Sequence, residues 1–305
     1  MRRRFRLRRQ RGSVLVVVAA ALVAILGLAA LGTDVGRLYI ERQRLVNAAD
    51  ASALAGAQRL PGDPSGAVTN ARTYLQRNGV NPDTAEIALT DSNHQITVNL
   101  HGQVDMTFAR VIGIDNAAVE GGAAARVANL SGTVGAVPLG VPQANWQVGQ
   151  QVVLKLDADS GTIAPGNYMA LALGKTGSSS YEQNLSNGYQ GWLRVNDWIS
   201  TETGNMATPT VRAVNYRISH DPYATWDAVS RQSSRLVVVP VLRDYNVNGR
   251  GEVLIVGFAM FFLEKAEDKG SNKGEITGRF VRMVTEGEYS GTAPDFGVYV
   301  TKLVR

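Results

Sequence analysis

Residues Ser13 to Leu31, SVLVVVAAALVAILGLAAL, are the stretch around which this chain is organised. No charged residue occurs from Gly12 to Thr33, and the stretch is mainly Val, Ala and Leu without proline. At ~1.5 Å per residue, a helix of this length covers nearly the ~30 Å hydrocarbon core of a bilayer. Such a helix also satisfies its own backbone hydrogen bonds in lipid. The sequence therefore predicts a transmembrane helix over residues 13–33.

Arginines dominate the segment before this stretch. Seven of the first eleven residues are Arg. Because positive residues beside a membrane span stay on the cytoplasmic side, residues 1–12 are predicted to be a cytoplasmic basic tail. The tail contributes +7 to a chain of net charge +5, so the remaining residues sum to −2. We therefore expect contacts with membrane lipid and none with nucleic acid, in a single-pass protein of the cell membrane whose bulk is extracytoplasmic.

A cleaved secretory signal shares the basic start and the apolar middle. This apolar stretch is longer than a signal core, however, and helical periodicity continues beyond it through Leu45, Ala49 and Ala53. We therefore favour an uncleaved anchor. Residues 34–60 are predicted to extend it into an amphipathic helix of about 45 residues in total, roughly 65–70 Å long. Pro61 marks its end.

Small residues form a candidate helix-packing face on this extension. They are Gly36, Ala48, Ala49, Ala51, Ala53 and Ala55. Small side chains let another backbone approach a helix closely. The packing partner is either the chain's own globular domain or neighbouring copies of the same helix, so self-association through the long helix is one expected interaction.

Residues 11–57 carry a family resemblance. Arg11-Gly12 before the apolar span, the DVGR sequence at 34–37 and the LVNAADASALA sequence at 45–55 together resemble the N-terminal domain of TadE/TadG-like proteins. That family belongs to the Tad (tight adherence, Flp pilus) machinery, a branch of type IV pilus systems. A weaker resemblance, to the C-terminal region of TadG-like proteins of Gram-positive bacteria, lies at residues 237–241, 247–250, 257–259 and 261–264. The resemblance implies other pilus or pilus-assembly proteins as partners.

Two departures from the family limit what it implies. Pilin-like members cleaved by prepilin peptidase carry a glutamate five residues after the cleavage-site glycine. Counted from Gly12, that position is Val17, so Gly12 and Ser13 are only a candidate processing site. Many TadG-like proteins also contain a von Willebrand A-type domain with an Asp-x-Ser-x-Ser metal motif. This sequence has no such motif, so metal-dependent adhesion does not follow from the resemblance.

The remaining sequence predicts an α+β fold. Residues 61–130 are expected to form a small α+β unit, with a helix from Ser65 to about Asn78 and a hairpin around Asp91-Ser92-Asn93-His94. Residues 131–150 are rich in Gly and Pro and are predicted to be a linker or edge segment. Short apolar strand signals dominate residues 151–305, which predicts a mostly β exported domain, either sandwich-like or a sheet with one or two helices on it.

Few motifs indicate chemistry. The absence of cysteine excludes disulfides, thiol catalysis and thiolate metal sites. The best metal candidate is a calcium loop, with oxygen ligands at alternate positions and a glycine at the sixth: Asp244, Asn246, Asn248 and, in a looser loop, Glu252. The competing interpretation is a hairpin turn, because Asn248-Gly249 is a favoured turn pair between strong strands. We favour the turn and expect no metal and no cofactor.

Aromatic residues indicate a candidate recognition surface. Tyr181, Tyr189, Trp192, Trp198 and Trp226 lie in a stretch that is also rich in Asn, Ser and Gly. Exposed Tyr and Trp suit protein or glycan recognition, whereas the alternative is a core built under long loops.

The sequence as a whole predicts a non-enzymatic, membrane-anchored component of a Tad/Flp-type pilus system that acts in assembly or adhesion through its exported domains. One alternative is a minor pilin or adhesin that is cleaved after Gly12 and built into the fibre. A second is an anchored extracytoplasmic hydrolase, which predicts a deep pocket that contains His220 or other titratable groups with perturbed pKa values.

Overall fold

The computed structural model describes residues 11–144, 146–156, 167–204, 206–243, 250–269 and 274–304. The helices are α1 (Arg11–Ala57), α2 (Pro64–Arg77), α3 (Ser178–Asn187) and α4 (Ala207–His220). The first strands are β1 (Ala85–Thr90), β2 (Gln95–Asp105), β3 (Asn116–Thr133), β4 (Leu139–Pro142), β5 (Gln151–Leu156), β6 (Asn167–Ala170), β7 (Leu193–Arg194) and β8 (Trp198–Ser200). The later strands are β9 (Leu236–Leu242), β10 (Glu252–Asp268), β11 (Gly274–Val281), β12 (Met283–Val284), β13 (Glu288–Tyr289) and β14 (Val298–Val304).

α1 is one continuous helix that contains the whole apolar stretch and its extension. Its outer part packs against β2, β3 and α2. The residues on the packed face recur at the spacing of one helix face and are all buried: Leu45, Ala48, Ala49, Ser52, Ala53 and Gly56. The long helix predicted to run through the membrane boundary is therefore confirmed.

The first sheet has the strand order β1-β2-β3-β14-β12, and β7 and β13 also pair with β3. β1 and β2 form an antiparallel hairpin in which Ala85 lies opposite Leu100 and Thr90 lies opposite Gln95. Asp91, Ser92 and Asn93 in its turn have φ values of 53°, 52° and 65°. Asp and Asn tolerate this left-handed region better than most residues. The predicted hairpin is confirmed.

The second sheet closes on itself within the described part of the chain. Its order is β11-β5-β6-β4-β9-β10-β8, and β10 also pairs with β11, so that the first six of these strands form a ring. Buried apolar side chains such as Leu154, Val239 and Phe261 share one core with α3 and α4. The mostly β C-terminal region is confirmed. The sandwich-like arrangement is wrong, because β10 pairs with β9 on one edge and with β11 on the other, and β11 continues through β5 to close the sheet.

A third apolar cluster joins the two sheets. Leu130 of β3 and Val300 of β14 share it with Phe258, Met260 and Phe262 of β10. Neighbouring residues Phe261 and Phe262 therefore lie in different clusters on the two faces of β10. A strand buried on both faces requires a continuous apolar run, as the VLIVGFAMFFL sequence at 253–263 provides.

Two segments differ from their predicted places. Residues 131–150, predicted as a linker or edge segment, contribute the buried strand β4 between β6 and β9. The apolar residues Val137, Leu139 and Val141 outweigh the local Gly and Pro signals. β14, which lies inside the range assigned to the exported domain, instead hydrogen-bonds to β3 in the first sheet.

Candidate membrane anchor and docking surfaces

The inner half of α1 is the candidate membrane anchor. From Val14 to Ala29 every residue is exposed, and the chain has one described helix that is long and apolar enough to cross a membrane. Large side chains such as Leu15 and Val23 are more than two-thirds exposed. A helix that is apolar on every side is suited to hydrocarbon rather than to water.

Asp34 forms the junction between this anchor and the globular part. Its carboxylate is 3% exposed and accepts hydrogen bonds from the backbone N–H groups of Thr107 and Phe108 at 2.9 Å and of Ala109 at 2.7 Å. Burial raises the pKa of this carboxyl, but the three hydrogen bonds and the charge of Arg37 outweigh burial and hold the pKa below its usual value. Asp34 therefore links α1 to the loop between β2 and β3 as a carboxylate.

The outer half of α1 is packed on its own domain. A Cβ added to Gly121 of β3 would lie 2.7 Å from Leu45 Cβ, and one added to Gly56 would lie 2.6 Å from Ile96 Cδ1. Both glycines are therefore places where helix and sheet approach too closely for a side chain. In addition, the Asn70 side chain donates to the Ala55 carbonyl at 2.6 Å.

The candidate helix-packing face is thus largely occupied within the chain. Ala48, Ala49, Ala53 and Ala55 are buried, whereas Ala51 is half-buried. Gly36 is also half-buried, and a Cβ added there would meet nothing within 4 Å. Four of the six predicted positions therefore contact the chain's own sheet and α2, which leaves self-association through the helix as a prediction for the rest.

The candidate processing site lies at the start of α1. The backbone of Gly12 and Ser13 is helical, and their side chains lie outside the described part, as do residues 1–10. Val17, which occupies the position of the pilin glutamate, is 66% exposed. Processing at Gly12 remains a prediction.

The aromatic residues are divided between surface and core. Trp192, Trp198 and Trp226 are exposed, and Tyr189 is half-buried. Tyr181 is only 1% exposed and its hydroxyl hydrogen-bonds to Thr210 at 2.8 Å, so its predicted role in recognition is wrong. It lies on the buried face of α3.

Trp226 also lines a cleft of about 670 Å³ beside the end of α1. Three arginines line the cleft, Arg59, Arg231 and Arg282, together with Asp63 and Asp227. Burial and the neighbouring Arg59 charge lower the pKa of Arg231. The charges favour a polar or anionic partner over an apolar one.

Groups for catalysis or metal binding are sparse. Asp244, Asn246 and Asn248 of the candidate calcium loop lie outside the described residues, while Glu252 is exposed at the start of β10. Within the described ranges, His, Asp and Glu form no group of three that could hold a metal. His220 is exposed at the end of α4, where its Nδ1 lies 2.8 Å from the Tyr216 carbonyl, and it is not among the residues that line the 670 Å³ cleft.

Sequence reasoning missed the role of Asp34 and the loop that it holds. The available signal was an isolated acid directly after an apolar span, which the family resemblance included only as part of the DVGR sequence at 34–37. Its partners are more than 70 residues away along the chain, so local periodicity could not identify them.

Comparison with known families matches this N-terminal part. Residues 12–59 match a family model described as putative Flp pilus-assembly TadE/G-like. No match was found among curated proteins or among solved structures. The weaker resemblance in the C-terminal region remains a prediction. The predicted resemblance of residues 11–57 is confirmed, and with the apolar helix it supports a membrane-anchored component of the Tad machinery: the chain carries a TadE/G-like segment, and that segment contains its candidate membrane helix.

Proposed function

We propose that this protein is a non-enzymatic, single-pass component of a Tad/Flp-type pilus system, with its N-terminus in the cytoplasm and its sheets outside the membrane. It acts in pilus assembly or adhesion by presenting its exported part to other pilus proteins. The observation that carries the proposal is α1, whose inner half is apolar and exposed and whose outer half is buried on its own sheet.

The arginine tail supports the orientation. Seven arginines precede the span, and positive residues next to a span are retained in the cytoplasm. The continuous helix supports a fixed connection, because an unbroken helix transmits the position of the span to the sheet without a flexible linker. Exposed Trp192 and Trp198 and the arginine-lined cleft are the candidate docking surfaces for pilus proteins.

The orientation can be tested by thiol labelling, because the chain has no cysteine. We expect Ser65→Cys, at an exposed position beyond α1, to react with a membrane-impermeant maleimide in cells whose outer layers are permeabilised. A cysteine introduced at Arg3 should react only after the cytoplasmic membrane is lysed. The reverse pattern would contradict the proposed topology.

A minor pilin is the second candidate, because an apolar helix half that is exposed on every side is equally able to pack against other subunits in a fibre. The N-terminal residue and the cellular fraction separate the two. In a host with a prepilin peptidase, we expect an intact N-terminus and recovery in the membrane fraction. A chain that begins at Ser13 and is recovered in sheared filaments would favour the pilin.

A further inference from the structure

The loop between β2 and β3, residues 106–115, exposes apolar side chains and is called the membrane-proximal loop here. Val111 is 88% exposed, Ile112 is 77%, Ile114 is 47% and Phe108 is 46%. Single exposed apolar residues are ordinary on protein surfaces, whereas several in one short loop indicate a contact surface. The question is what covers them.

Three contacts place this loop at the membrane end of the globular part. Ile96 at the start of β2 lies against Gly56 of α1, and Gly102 further along β2 lies against Leu45. The backbone N–H groups of residues 107–109 donate to Asp34. β2 therefore runs antiparallel to α1 and descends it toward the apolar half. From Asp34 to Leu31 at the end of the apolar stretch is a helix rise of only about 4.5 Å.

The loop is held in one defined shape. The Val111 N–H donates to the Phe108 carbonyl at 3.1 Å, and the Ile114 N–H donates to the Ala109 carbonyl, also at 3.1 Å. Gly113 has a φ of +88°, a backbone conformation that glycine adopts without strain and that lets the chain reverse. Asp34 fixes the start of the loop to α1, so the apolar side chains cannot move far from the helix.

The residues around the loop are those expected at a lipid headgroup layer. Tyr39 on α1 is 69% exposed, just past the apolar span, where amphipathic aromatic rings are favoured. Arg37 donates to the Thr107 hydroxyl, and Arg110 lies 3.2 Å from Asp115. Cationic side chains beside apolar ones are typical of segments that lie in a membrane interface.

We propose that the membrane-proximal loop inserts Val111 and Ile112 into the phospholipid leaflet from which α1 emerges, and so forms a second membrane contact beside the span. The inference rests on the proposed membrane anchor. Lipid is favoured over a protein partner because the loop is held on α1 at Asp34, about one helix turn from the exposed apolar stretch that ends at Leu31. Two contacts, one helix and one loop, fix the tilt and rotation of the sheets on the membrane, which a single helix cannot do.

Site-specific fluorescence in vesicles tests this. Single cysteines replace Val111, Leu22 in the middle of the span and Ser65 beyond the far end of α1, in the full-length protein. Each is labelled with the environment-sensitive probe NBD and reconstituted into phosphatidylcholine–phosphatidylglycerol vesicles with or without doxyl-labelled lipid. All three side chains are exposed, so labelling leaves the packing intact.

We expect the probe at 111 to emit at shorter wavelength and to lose intensity to the doxyl lipid, as the probe at 22 does, while the probe at 65 remains in water. If the probe at 111 emits as in water while the probe at 22 emits as in hydrocarbon, the inference is wrong but the membrane anchor stands. The loop would then be assigned to a protein partner. An unquenched probe at 22 would overturn both the inference and the anchor.

Discussion

The two halves of α1 use the same helical backbone for opposite purposes. Leu28 in the inner half is 70% exposed, whereas Leu45 in the outer half is 2% exposed against β3. The inner half has large apolar side chains on all sides, and the outer half has small residues on one face and charged residues such as Arg42 and Arg44 elsewhere. The comparison teaches that side-chain size and charge, rather than the helix itself, decide whether lipid or protein surrounds each half.

The largest expected effect comes from shortening Leu45. Leu45→Ala removes a fully packed side chain and leaves a cavity between α1 and β3, so we expect a loss of about 3 kcal/mol in the free energy of unfolding. Leu28→Ala is the matched control and should leave that free energy unchanged, because the Leu28 side chain is 70% exposed in the described structure. Guanidinium unfolding of the full-length protein in detergent, followed by tryptophan fluorescence, measures both. Equal effects would mean that the two halves do not differ as described.

A smaller effect is expected from replacing Gly56 by Ala, with Gly27→Ala as the control. A Cβ at 56 would meet Ile96 Cδ1 at 2.6 Å and the Ala67 carbonyl at 3.0 Å, whereas one at 27 meets nothing within 4 Å. Overpacking costs about 1–3 kcal/mol, and the gain in helix propensity offsets part of it, so Gly56→Ala should destabilise by roughly 1 kcal/mol. Gly27→Ala should not destabilise. The same unfolding assay applies, and a stabilising Gly56→Ala would contradict the close approach.

The smallest effect on the whole molecule, confined to the junction of the two halves, is expected at Asp34. The pKa of Asp34 is lower in the folded state than in the unfolded state, so the unfolded state binds more protons in acid. The stabilisation that this carboxylate provides is therefore fully present above the ordinary pKa of 3.8. It is lost as the pH falls through the folded-state pKa. Amide exchange in a peptide that covers residues 106–115, corrected for intrinsic rates, should lose protection below that range. In Asp34→Asn, the amides of residues 106–115 should be weakly protected at every pH. If this variant exchanges like the wild type, the role assigned to the Asp34 carboxylate is wrong.

Local patterns in the sequence were sufficient for α1 and the β1–β2 hairpin, but not for the buried strand β4 or for the non-local pairings. The apolar run and its continued periodicity predict α1, and alternation around Asp91-Ser92-Asn93-His94 predicts the hairpin, because both depend on neighbours in the chain. Closure of the second sheet depends on β10 meeting β11 as well as β9, and a strand's length does not reveal how many partners it has.

The candidate site shows the same limit. The anchor follows from composition alone. Four of the six small residues on the predicted packing face are buried. The burial of Tyr181 could not be decided from the sequence, because composition does not distinguish a buried aromatic residue from an exposed one, and the helix that buries it has few strong helix formers. The membrane-proximal loop was missed because its position follows from Asp34 pairing with residues far along the chain.

The return of β14 to the first sheet has a consequence for biogenesis. Tyr299 pairs with Asn129, partners about 170 residues apart along the chain, a separation that slows folding. If the chain is exported N-terminus first, β14 cannot pair with β3 until every described strand of the second sheet has emerged. During that interval an open strand edge is exposed, and such an edge can pair with the same edge of a second nascent copy. A periplasmic or surface chaperone that shields this edge would therefore be most needed late in translocation, and truncation before residue 298 would leave the edge open permanently.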